Sequence, residues 1–285
     1  MNNIKLISSL LQADLEKNGY VVLRSFLSAK VIQDLLDYYK STGLNSDKTQ
    51  PNYLYANPDL SKKITATIKA LLQDVVSKEL ADVNFLGGVY MVKKPGQYKE
   101  VDFHQDWSLV NEIEHTSYNL WCPLVDTDRD SGSLMLMNKS DQAGLAYRSA
   151  TLHPLEVKYE KKYEPFITSF ELKAGDAILY KHSLFHGSGN NTGHEERIAI
   201  ACGIIPQNAE FIYQHWNPIK SAIESYQVDN NFYIDHIFDV LSGNIPPKYK
   251  IVKETKFSQK PTINEAQFYK NMRKLYGLKR YFFFD

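Results

Sequence analysis

Apolar positions along the chain change period several times, and each change marks an element. Residues 5–18 carry Leu6, Leu10, Leu11 and Leu15 on one helical stripe, and Gly19 ends it. Residues 20–23 are apolar and β-branched, as a strand requires. Ser28 stands as the N-cap of a helix over 29–40, whose apolar side is Val31, Ile32, Leu35, Leu36 and Tyr39. Residues 43–53 are polar and predict a loop. Helical spacing returns over 60–80, with Ile64, Ile68, Leu72 and Val75 recurring.

From there the pattern shortens to that of strands. Residues 85–92 lead into the turn Lys93-Lys94-Pro95-Gly96. Strands follow at 118–125, 133–137, 166–172 and 177–181, separated by turns at 126–132 and 174–176. Residues 112–114 are polar and read as exposed. Residues 138–165 give few signals, and a structureless stretch of that length is often functional; part of it is expected to cover a site. Residues 215–245 read as largely helical, 249–257 as extended, and 265–276 as a helix with Gly277 as its C-cap. The aromatic ending Tyr281-Phe282-Phe283-Phe284 is expected to pack back on the molecule. Many short strands with glycine turns, and helices mainly at the amino end, predict a largely antiparallel β-barrel with flanking helices.

Within this pattern three segments carry chemistry. In an extended Phe103-His104-Gln105-Asp106, side chains two apart leave one face, so His104 and Asp106 can meet one ion while Gln105 points away. His186, in His182-Ser183-Leu184-Phe185-His186-Gly187-Ser188-Gly189, can bring a third ligand from a distant strand. Two imidazoles and a carboxylate on one side of a metal leave other positions open, as Fe(II) oxygenases need. Zinc accepts the same donors, so they do not name the metal. His182 is a weaker alternative ligand, better read as ordering the turn or edging the pocket. His115 and His194 read as surface residues.

The strand over 197–205 adds an anion site. Its alternation puts Arg197, Ala199 and Ala201 on one face and Ile198, Ile200 and Cys202 on the other. A long guanidinium beside two small side chains suits an anion pocket inside a barrel.

The order and spacing of these pieces resemble the phytanoyl-CoA dioxygenase family of Fe(II)/2-oxoglutarate-dependent oxygenases. The resemblance rests on Gly19-Tyr20-Val21-Val22-Leu23-Arg24-Ser25-Phe26-Leu27-Ser28, Lys94-Pro95-Gly96 and His104-Gln105-Asp106. It continues through Trp121-Cys122-Pro123-Leu124-Val125-Asp126, Gly132-Ser133-Leu134, Gly175-Asp176 and His186-Gly187-Ser188 to Arg197. It covers about residues 15 to 205; nothing after 210 is matched. It implies a double-stranded β-helix (jelly roll, cupin-like) core. His104, Asp106 and His186 would hold Fe(II), Arg197 would pair with the far carboxylate of 2-oxoglutarate, and Ser188 would add a hydrogen bond there. With O2, such an enzyme hydroxylates an unactivated carbon and releases succinate and CO2. Related halogenases have Gly or Ala where Asp106 stands, so halogenation is not expected. Where many relatives carry Pro-Gly-Ser-His, this chain has Asn138-Lys139-Ser140-Asp141, a departure in the loop that follows. Gln105, Trp107, Arg148 and His153 are the substrate-pocket candidates. Two other readings are a non-catalytic cupin-like binding protein and a zinc- or manganese-dependent hydrolase or isomerase.

Composition narrows the setting. The 285 residues are read as one oxygenase domain, with a core at about 15–210 and a partly helical extension at 211–285. A formal net charge of zero offers no field for steering to nucleic acid. No apolar run is long enough to span a bilayer, and the amino terminus lacks a signal-peptide pattern. The 2 cysteines, Cys122 and Cys202, form no disulfide framework and sit in apolar runs. The expected partner is a small-molecule substrate, free or carrier-bound, and the expected compartment the cytoplasm. The oligomeric state is left open.

Overall fold

The computed structural model describes residues 4–44, 51–54, 56–96, 100–145 and 147–278. The aromatic ending at 281–285 lies outside these residues. The chain opens with β1 (Lys5–Leu6), α1 (Ser9–Asn18), β2 (Tyr20–Leu23), α2 (Ala29–Ser41) and α3 (Pro58–Glu79). Strands β3 (Leu80–Ala81), β4 (Val83–Lys93), β5 (Val101–His104), β6 (Tyr118–Pro123) and β7 (Leu134–Met137) follow. Then come β8 (Ile167–Ser169), β9 (Ala177–Lys181), β10 (His186–Ser188) and β11 (Arg197–Pro206). The last elements are β12 (Ile212–Asn217), β13 (Ala222–Gln227), α4 (Phe232–Leu241), β14 (Ile251–Lys256) and α5 (Glu265–Leu275).

The architecture is mainly β, with antiparallel sheets and a few helices. A five-stranded sheet runs β2-β9-β6-β11-β4, and a four-stranded sheet runs β5-β10-β7-β8. Alternation gives each strand of the larger sheet two apolar faces. Outward, Ile198, Ile200, Cys202 and Ile204 of β11 pack with Ile64, Ile68 and Leu72 of α3. Inward, Trp121, Ile178 and Ala199 join Leu134 and Leu136 of the smaller sheet. The predicted two faces of residues 197–205 are therefore those of a strand set between two layers. The outer face of the smaller sheet is closed by Phe268 and Met272 of α5 on Phe103, Met137 and Phe185. Cys122 and Cys202 are both free and buried.

Close packing of α3 on β4 depends on glycine. A Cβ on Gly88 would lie 2.4 Å from the Cys202 sulfur and 3.0 Å from Ile68. Ser28 caps α2 as expected, its Oγ accepting from the Val31 N–H.

Several boundaries differ from the sequence reading. The first helix begins at Ser9, because Lys5–Leu6 pairs with Leu80–Ala81; Leu10, expected on the buried stripe, is exposed. Glu112 is not exposed: its side chain is buried in an ion pair with Arg148. The largest correction concerns 215–245. Its first half is the β12–β13 hairpin, where Ile212, Tyr213, Trp216 and Ile223 favour strand, and only Phe232–Leu241 is helical. With β14 the hairpin forms a three-stranded sheet. No helix among the described residues is long and apolar enough to cross a membrane.

Candidate active site

Antiparallel pairing of β5 and β10 sets His104 directly opposite His186. Their rings lie 4.4 Å apart. The register shifts between His186 and Ser188, at Gly187, whose Cβ would stand 2.5 Å from the Val101 carbonyl oxygen. Only glycine allows that approach. Strand β5 ends at His104, so Asp106 lies just past the regular strand rather than inside it. Two bonds hold it there: its N–H donates to the His182 carbonyl at 3.0 Å, and its own carbonyl accepts from Arg148 Nε at 2.7 Å. One ligand atom each from His104, Asp106 and His186 then falls within 4.8 Å of the others.

The protonation states suit a metal. Each histidine has Nδ1 against a backbone carbonyl, His104 on Asp102 at 2.9 Å and His186 on Leu184 at 3.0 Å. A carbonyl only accepts, so Nδ1 carries a proton in both and Nε2 is the nitrogen left to face a metal. Burial, opposed by Asp106, lowers His186 to a pKa of about 4, so the ring is neutral near pH 7. Burial pushes the Asp106 carboxyl up, but His186, His182 and His104 together hold it below the usual range, and it stays ionised. Asn119 Nδ2 donates to Asp106 Oδ2 at 3.3 Å, and His182 Nε2 lies 3.9 Å from the same oxygen. His182 thus flanks the carboxylate. It is buried and its Nδ1 has no partner.

Beside the triad lies a buried cationic floor. Arg197 is 3% exposed, makes one weak bond to the Gly132 carbonyl at 3.3 Å, and leaves Nε without a partner. Its guanidinium carbon sits 5.5 Å from the Trp121 ring centre. Burial lowers its pKa to about 10, still charged at neutral pH. An ionised group this deep with an unanswered N–H has a donor to spare for an anion. Lys93, opposite Arg197 across β4 and β11, is also fully buried. Its ammonium donates to Ser188 Oγ at 2.8 Å and to the Gly189 carbonyl. Burial and the neighbouring Arg197 lower its pKa to about 7. Sequence reasoning missed Lys93, because Lys93-Lys94 before a proline turn looks solvated. The strand alternation of Val89, Met91 and Lys93 was the available signal.

The substrate-pocket candidates separate. Trp107 and His153 line the cavity above the triad. Gln105 reaches its wall, but its carboxamide is occupied by the backbone: Nε2 donates to the Ser183 carbonyl at 2.6 Å and Oε1 accepts from the Leu145 N–H at 3.2 Å. Arg148 is corrected outright. It is 0% exposed, off the cavity, and paired through both terminal nitrogens with Glu112 at 2.7 Å. Part of the long stretch after 138 does reach the site, through 153–156.

The phytanoyl-CoA dioxygenase (PhyH) family model matches residues 15–199. The chain belongs to that family. Within it, a curated relative from Dictyostelium discoideum, "Phytanoyl-CoA dioxygenase domain-containing protein 1 homolog", is 27% identical over 144 residues, 48% of this chain and 51% of its own. The phytanoyl-CoA dioxygenase of Arabidopsis thaliana is 31% identical over 123 residues, 41% of this chain and 42% of its own. The chain thus spans about half the length of the curated relatives it matches. Among solved structures it shares a fold with the non-heme alpha ketoglutarate dependent epimerase SnoN from nogalamycin biosynthesis. There the TM-score is 0.53 at 13% identity, covering 88% of this chain and 93% of that one. It likewise resembles iron-bound HygX from Streptomyces hygroscopicus, with a TM-score of 0.52 at 14% identity over 72% and 88%.

Proposed function

We propose that this protein is an Fe(II)- and 2-oxoglutarate-dependent dioxygenase on a double-stranded β-helix (jelly-roll) core. In this reading it hydroxylates an unactivated carbon of a small metabolite or carrier-bound acyl substrate. The observation that carries the proposal is a conjunction: a triad of His104, ionised Asp106 and neutral His186 opening onto the same cavity as a buried, incompletely partnered Arg197. Three donors from one side leave positions open toward the cavity. A zinc hydrolase would use the triad but give the arginine no task. The dependence of SnoN on alpha ketoglutarate and the iron in HygX are in keeping with this assignment.

In this reading His104, Asp106 and His186 hold the iron. Arg197 takes the far carboxylate of 2-oxoglutarate, in a fork that a point charge could not match. Ser188, whose oxygen already accepts from Lys93, has its proton left to donate to that carboxylate. The Trp121 ring lies against the guanidinium and strengthens its hold in a dry site. Carbonyls 102 and 184 fix the two imidazole rings, while Asn119 and the Arg148 bond fix Asp106. When bound, iron with 2-oxoglutarate and O2 supplies the oxidation: the cosubstrate becomes succinate and CO2, and one oxygen atom passes to the substrate. The chain is proposed to act as one domain, in which the stretch from Phe211 to Ile263 completes the cavity wall. We place it in the cytoplasm, where two buried thiols stay reduced.

The test is succinate formation from 2-oxoglutarate by protein loaded with Fe(II) under air, with zinc- and manganese-loaded samples in parallel. Iron-dependent succinate release, lost in His186→Ala, supports the assignment. Turnover by the zinc form that needs no 2-oxoglutarate would overturn it.

A further inference from the structure

The cavity above the triad has a volume of about 1320 Å³, larger than the pockets of about 300–1,000 Å³ that hold drug-sized ligands. Leu86, Val89 and Met91 of β4 and Leu109 form one wall; Ile234 and Ile237 of α4 form another. Phe238 and Leu241, 66% and 51% exposed, continue that apolar surface to the rim. Helix α4 is seated against the metal-binding segment: Tyr233 lies 5.8 Å from the ring of Trp107, which follows Asp106, and 5.8 Å from Phe211. On its other side Asp235 pairs with Lys62 of α3 at 2.6 Å. The backbone departs from helical geometry at His236, between the two wall residues Ile234 and Ile237. This helix also lies outside residues 15–199, the segment that the family model matches.

Charge narrows the ligand further. Among the described residues that line the cavity, Arg197 is the one guanidinium or ammonium group, and it lies buried beneath Trp121. The only carboxylates in that lining are Asp106 and Glu156. A coenzyme A thioester brings phosphates that call for several cations. A polycationic sugar calls for several carboxylates. The described wall supplies neither set.

We propose that the substrate is a bulky, largely apolar molecule without net charge, and that α4 recognises it through Ile234, Ile237, Phe238 and Leu241. This rests on the oxygenase reading for its chemistry, but the recognition can be tested without metal or cosubstrate. Nile red, a neutral apolar fluorophore, is titrated into the full-length apoprotein, then competed with farnesol or with coenzyme A. The expected result is saturable binding with blue-shifted emission, displaced by farnesol and untouched by coenzyme A. Val89→Phe, which fills the interior, and the rim double variant Phe238→Asp/Leu241→Asp should each weaken binding roughly tenfold. The rim positions are exposed, so that variant keeps the parent circular dichroism spectrum. Absence of saturable binding, displacement by coenzyme A, or unchanged affinity in both variants would overturn the proposal. Failure here leaves the iron chemistry standing, and loss of the iron chemistry leaves a positive dye result standing.

Discussion

Lys93 and Arg197 stand in register across β4 and β11, and both side chains are buried. Two cations so placed destabilise each other unless an anion joins them or one loses its proton. The lysine yields, its pKa falling from 10.5 to about 7 through burial and the charge of Arg197. Between those two values the unfolded chain holds a proton that the folded chain has released, so stability of the apoprotein rises with pH across that window. Denaturant unfolding at pH 6 and pH 9 checks this: Lys93→Met should be more stable relative to wild type at the lower pH, with the advantage shrinking at the higher. An advantage independent of pH contradicts the shifted lysine. A dicarboxylate bound beside Lys93 reverses the shift, so binding of 2-oxoglutarate near pH 8 should take up protons, measurable by calorimetry in buffers of different ionisation enthalpy.

Arg148 joins stability to the site. It pairs with Glu112 at 2.7 Å through two nitrogens, and its Nε holds the Asp106 carbonyl. Arg148→Met strands Glu112 in the interior and should cost about 3–5 kcal/mol of stability. Metal affinity should fall roughly tenfold or more, since the ligand segment loses a support. Arg148→Met/Glu112→Leu should recover most of the stability but not the metal affinity. Recovery of both would show that Arg148 does not orient Asp106.

The Gly88 contact is a simpler matter of space. Gly88→Ala places a Cβ 2.4 Å from the Cys202 sulfur, so α3 or β11 must move. A loss of about 1–3 kcal/mol is expected, seen as a lower thermal midpoint. Cys202→Ala in the same chain should restore part of it. A midpoint equal to wild type in the single variant would contradict the tight packing described.

How much of this was legible beforehand follows from what each feature depends on. The alternation of Arg197, Ala199 and Ala201 named a face, and a strand between two layers needs nothing more. His104, Asp106 and His186 were readable because ligand chemistry confines them to few residue types. Lys93 was not, because its burial comes from register with a strand about a hundred residues away. Glu112 and Arg148 look like loop charges until the fold joins them. The β12–β13 hairpin was read together with the helix after it, because the apolar positions of 215–245 that suit a helical stripe lie mostly in α4, with Tyr226 alone in the hairpin; pairing with β14 decides the matter. Cavity size and the position of α4 depend on tertiary packing of segments that share no local pattern.

The measurement closest to the central claim is an anaerobic visible titration of the apoprotein with Fe(II) and then 2-oxoglutarate. A weak charge-transfer band is predicted when both are present. It should vanish in His186→Ala and require much more cosubstrate in Arg197→Ala. Folded, iron-loaded wild type that shows no band at any 2-oxoglutarate concentration would contradict the assignment of both metal and cosubstrate.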